Sequence, residues 1–97
     1  MLTSKQRSQL KAVAQNEETI IIIGKSGINE ALIASVSDAL KAREIVKGRV
    51  LENSMVTPRE ACEQLADACG AEPVQVIGSK FVLYKRNVNK PVIKLVR

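Results

Sequence analysis

The sequence predicts a two-layer α+β fold with element order αβαβαββ and a four-stranded mixed sheet. Three observations carry that expectation. Four consecutive isoleucines, Ile20 to Ile23, lie between a polar stretch and Gly24. Two segments with helical apolar spacing open on helix-capping residues, Asn29 and Thr57. The pair Val74-Gln75-Val76-Ile77 and Phe81-Val82-Leu83-Tyr84 flanks Gly78-Ser79, as a tight hairpin requires. At 97 residues and 45% apolar content, the chain fits one domain over 1–97 with 87–97 as a C-terminal tail.

Each element follows from local chemistry. Residues 3–15 read as a helix, because Thr3 and Gln6 match a capping box and Leu10, Val13 and Ala14 form an apolar stripe. Thr19 to Ile23 reads as a strand. Its unbroken isoleucines cannot alternate, so it is expected to be covered on both faces, with the N-terminal helix as the remaining cover. Gly24 to Gly27 is a turn, and Asn29 caps a helix that runs to about Arg43 with Leu32, Ile33, Val36, Ala39 and Leu40 inward. Ile45 to Leu51 is the second strand, with Lys47 and Arg49 on one face and Gly48 as a weak point or close approach.

Thr57-Pro58-Arg59-Glu60 combines an N-cap, proline at the first helical position and a capping glutamate. That helix ends at Cys69, with Gly70 as its cap. In the terminal hairpin, pairing across Gly78-Ser79 puts Val74, Val76, Phe81 and Leu83 on one face and Lys80, Tyr84 and Arg86 on the other. Right-handed crossovers place the second and third helices on one sheet face, with three parallel strands and an antiparallel fourth.

Fifteen Lys and Arg against ten Asp and Glu give a net charge of +5, with no histidine. Such a domain attracts polyanions. Without histidine there is no His-based acid–base pair, and Glu60, Glu63 and Asp67 at helical spacing read as a solvated face. A non-catalytic domain with no cofactor is expected. Cys62 and Cys69 lack zinc-ligand spacing and read as buried small residues. A polar start, no apolar run near the roughly 20 residues of a membrane span and no disulfide framework point to the cytoplasm.

The candidate site is Gly24-Lys25-Ser26-Gly27, between a strand and a helix. Free amides and the positive end of a helix dipole attract anions, and a G-x-x-G turn clamps nucleic-acid backbone in the KH module. The spacing is not that of a nucleotide-binding P-loop. Lys5, Arg7 and Lys11 on the first helix, Lys47 and Arg49 on the second strand, and Lys80, Lys85 and Arg86 on the terminal hairpin extend the site as a basic stripe if they share a surface. Tyr84 reads either as a stacking residue or as packing. Two aromatics in all point to backbone contacts rather than a stacking platform.

One ordered set of motifs spans nearly the whole chain. Leu2-Thr3-Ser4-Lys5-Gln6-Arg7 with Leu10 is followed by Gly24-Lys25-Ser26-Gly27-Ile28 and Glu44-Ile45-Val46-Lys47. Gly70, Val74-Gln75-Val76-Ile77-Gly78 and Val82-Leu83-Tyr84-Lys85-Arg86 complete it. The set resembles the YhbY-type CRM domain (chloroplast RNA splicing and ribosome maturation). The resemblance implies a fold similar to the C-terminal domain of translation initiation factor 3, and RNA binding through the G-x-x-G turn. It implies ribosomal RNA of the large-subunit precursor as partner, with ribosomal or assembly proteins beside it and no membrane. By position it carries a role to Gly24, Lys25, Ser26, Gly27, Lys47, Lys85 and Arg86. Gln15-Asn16, where relatives often have histidine, and Gly48, where they carry a larger residue, depart from the pattern. The competing expectation is a ribosome-associated protein–protein adaptor without direct RNA contact.

Overall fold

The computed structural model describes residues 2–87, 89 and 91–96; residues 88, 90 and 97 of the predicted tail lie outside them. The elements are α1 (Ser4–Gln15), β1 (Thr19–Ile23), α2 (Glu30–Arg43), β2 (Ile45–Val50), α3 (Pro58–Cys69), β3 (Glu72–Ile77) and β4 (Lys80–Tyr84). Both predicted capping boxes form. Thr3 accepts from the Gln6 amide and Thr57 from the Glu60 amide, and each partner side chain accepts from the cap residue's own amide. Asn29 accepts from the Leu32 amide, and Gly70 ends α3 in the left-handed region.

The sheet order is β1-β2-β4-β3. β1 and β2 are parallel, while β4 runs antiparallel to both β2 and β3. β1, β2 and β3 therefore share one direction, and β4 is inserted between the last two. The C-terminal ends of β1 and β2 and the Gly78-Ser79 tip meet at one end of the sheet, here the upper end. There the Leu51 amide donates to the Ile23 carbonyl and the Val50 amide to the Ser79 carbonyl.

Two apolar clusters lie on opposite faces. Val36 and Leu40 of α2 and Ala61, Cys62, Leu65, Ala66 and Cys69 of α3 pack on Ile21, Ile23, Val46, Val50, Phe81 and Leu83. The Phe81 ring lies over Gly48, where a Cβ would come within 2.2 Å of it. A side chain at position 48 and a phenylalanine at 81 cannot share that space. The second cluster joins Leu10 and Ala14 of α1 to Ile45, Val74, Val82 and Tyr84, with Ile93 and Leu95 against it.

Two expectations need correction. α1 packs over β2, β3 and β4 rather than capping the isoleucine strand, and Ile22 is left 59% exposed. The isoleucine run thus has one buried side, Ile21 and Ile23, and one open side. Val74 does not share a face with Val76, Phe81 and Leu83, because the register shifts between Pro73 and Gln75 and turns Val74 toward α1.

The C-terminal segment is docked rather than loose. Gln6 and Gln9 side-chain amides donate to the carbonyls of Val96 and Lys94, and the Val96 amide donates back to Gln9. Its anchor is Glu44, which ends α2 with φ 64° and is 0% exposed. The Glu44 carboxylate accepts from the amides of Asn87 (2.7 Å), Ile93 (2.6 Å) and Val92. Burial alone would raise its pKa, but those amides and nearby Arg86 more than offset it and hold it below the ordinary carboxylate value.

Candidate nucleic-acid interface

The Gly24–Gly27 segment is a tight turn closed by the Gly27 amide donating to the Gly24 carbonyl at 3.0 Å. Lys25 and Ser26 occupy its two central positions and are exposed. The two glycines are not equivalent. Gly27 has φ 66°, which favours glycine, and nothing lies within 4 Å of where its Cβ would be. Gly24 has no positive φ, and a Cβ there would make only ordinary contact with Leu51. The helix does not begin at the turn itself. Ile28 and Asn29 intervene, the Leu32 amide is taken by Asn29, and Glu30 stands in the first turn. Lys25, Ser26 and the open approach at Gly27 are therefore what the turn presents to an anion.

The remaining predicted cations fall into two groups. Arg49 pairs across the sheet with Lys80, and Lys11, Lys47 and Lys80 line one recess on the α1 side, with Gln75 and Ile77. The Lys47 ammonium donates to the Ala14 carbonyl at 3.3 Å, so it also neutralises the C-terminal end of α1. This group lies toward the same upper end as the turn. Lys85 and Arg86 follow Tyr84 at the lower end, four β4 residues from Lys80, or roughly 13 Å along the strand. There the Lys85 ammonium donates to the Cys69 carbonyl at 2.8 Å, completing the end of α3, and Arg86 faces Glu44. Lys5 sits on the first turn of α1 beside Ser8, Gln9 and Val96, away from the upper group.

Tyr84 is not available to stack on a base. It is 3% exposed in the α1-side cluster, and its hydroxyl has no hydrogen-bond partner among the described residues. Burial pushes its pKa up, Glu44 adds to that, and Arg86 opposes it. Lys80, expected on the basic stripe, joins the upper group through its pairing with Arg49. Its alternation with Tyr84 was legible, but its register with Arg49 was not. The cysteines are both buried and free. Among the described residues, no three of His, Cys, Asp and Glu converge as metal ligands, and no helix is long and apolar enough to cross a membrane.

The model of the CRS1 / YhbY (CRM) domain matches residues 2–85. The chain belongs to the CRM-domain family. Probable RNA-binding protein YqeI of Bacillus subtilis is 36% identical over 95 residues, covering 98% of this chain and 99% of that one. A Haemophilus influenzae protein named RNA-binding protein is 29% identical over 84 residues, covering 87% and 85%. Among solved structures, the solution structure of SAV1595 from Staphylococcus aureus has a TM-score of 0.81. It is 42% identical and covers 99% of this CRM chain and 100% of that one.

Proposed function

We propose that this CRM chain is a non-catalytic, cytoplasmic single-domain RNA-binding protein. It grips RNA backbone through Gly24-Lys25-Ser26-Gly27 and the cations on the same end of the sheet, and it acts in assembly of the large ribosomal subunit. The observation that carries this reading is the exposed Lys25-Ser26 pair on a turn with open space at Gly27, at the sheet end where Arg49 and Lys80 lie side by side. RNA as the ligand class is supported by the names of the relatives. The ribosomal role rests on the family resemblance.

Backbone contacts make affinity fall with salt, and four to six phosphates correspond to a log–log slope of roughly −3 to −5. Lys25→Glu should weaken binding at every salt concentration and leave the circular dichroism spectrum unchanged. A flat salt dependence, or full affinity in Lys25→Glu, would count against the turn. Crosslinking in cells should recover large-subunit ribosomal RNA at one locus. The adaptor reading is favoured by one observation, the exposure of Ile22 and Ile77. It requires that ribosomal proteins stay bound to the chain after nuclease treatment.

A further inference from the structure

α1 covers only part of its face of the sheet, and the upper part carries a registered row that crosses all four strands. Ile22 of β1 is paired with Arg49 of β2, Arg49 with Lys80 of β4, and Lys80 with Ile77 of β3. All four residues are exposed, Ile22 by 59% and Ile77 by 62%. Strand spacing makes the row roughly 14 Å wide. It is continuous with the candidate turn, since Ile22 is two residues before Gly24.

The order of chemistry along the row points to its occupant. Protein interfaces concentrate apolar groups at the centre and leave charges to the rim. Here the arrangement is reversed, with an arginine and a lysine in the middle and aliphatic groups outside. Like charges directly opposite on neighbouring strands are destabilising. Neither Arg49 nor Lys80 has a carboxylate partner among the described residues. A protein partner would have to bury both cations, whereas a phosphate between them relieves their repulsion. Paired bases in an A-form duplex keep their faces stacked and out of reach, while unpaired nucleotides expose apolar faces that aliphatic side chains can cover.

We propose that this open part of the sheet binds single-stranded RNA, with Arg49 and Lys80 holding a phosphate between them and Ile22 and Ile77 covering the nucleosides on either side. The inference rests on the reading that the chain binds RNA, and it adds a strand-type preference to it. RNA gripped at the turn would run on across the sheet.

The test is fluorescence anisotropy with a short oligouridylate and a blunt A-form duplex, using the full chain. Ile22→Ser together with Ile77→Ser should weaken oligouridylate binding about tenfold, with the salt slope unchanged because no charge is removed. Duplex binding should stay at the wild-type level. Arg49→Ser together with Lys80→Ser removes one phosphate contact and should make the oligouridylate slope shallower by about 0.7. In the unsubstituted protein, backbone amide resonances of Ile22, Arg49, Ile77 and Lys80 should shift on adding oligouridylate. If the isoleucine variant keeps full affinity and those resonances stay still while Lys25→Glu weakens binding, the sheet surface is wrong and the turn stands. If Lys25→Glu is silent as well, the backbone-binding reading fails with it.

Discussion

Glu44 sets two physical effects against each other, and replacing it with glycine measures the difference. A side chain held in the left-handed region costs roughly 1 kcal/mol, which Glu44→Gly would recover. The same change removes a buried carboxylate that accepts from three amides of the C-terminal segment. A hydrogen bond to a charged group contributes roughly 1.5–3 kcal/mol, but the released amides regain water once the segment lifts away. The cluster as a whole is therefore worth about 2–4 kcal/mol. The net expectation is destabilisation by about 1–3 kcal/mol at neutral pH, read from urea midpoints by circular dichroism. In a chain ending at Arg86 the carboxylate has lost its amides, and the same substitution should be neutral or stabilising. A rise in midpoint for Glu44→Gly in the full chain would refute the reasoning. Because the folded carboxyl titrates below its unfolded value, its stabilisation is present above the ordinary carboxylate pKa. It is lost as pH falls through the depressed folded value, and Glu44→Gly should flatten that acid limb.

Two further outcomes follow from the core. Gly48→Ala forces a Cβ onto the Phe81 ring and should cost about 1–3 kcal/mol, while Phe81→Leu in the same chain should remove part of that cost in thermal melts. The Cys62 thiol is pushed up to about 11 by burial and Glu63 against the opposing Arg59, and burial raises Cys69 despite Lys85. Both should resist thiol reagents at mildly alkaline pH until urea unfolds the chain, so rapid labelling of the native protein would contradict their placement.

The element boundaries were legible because capping chemistry is local. Thr3, Asn29, Thr57 and Gly70 each act on amides or carbonyls within a few residues of themselves. What escaped was set by distant partners. The isoleucine run looked fully covered because apolar content alone cannot distinguish a buried face from one left open. Val74 changed sides through a bulge that leaves no residue signature. The role of Glu44 depends on amides that the distant C-terminal segment delivers to it. At the candidate site the turn was legible from its glycines. The separation of Lys85 and Arg86 from Lys47 and Arg49 depends on strand order and direction, which no single residue announces.

The insertion of β4 between β2 and β3 has a consequence for synthesis. β4, one of the two central strands, is the last of the four to leave the ribosome. Until it emerges, β3 lacks the strand it pairs with, and the first helical layer lacks Phe81 and Leu83 beneath it. A nascent chain halted before Lys80 can pair β1 with β2 but leaves β3 unjoined to them, and such exposed apolar surface and unpaired strand edge are aggregation-prone. Completion of the four-stranded sheet thus waits on β4.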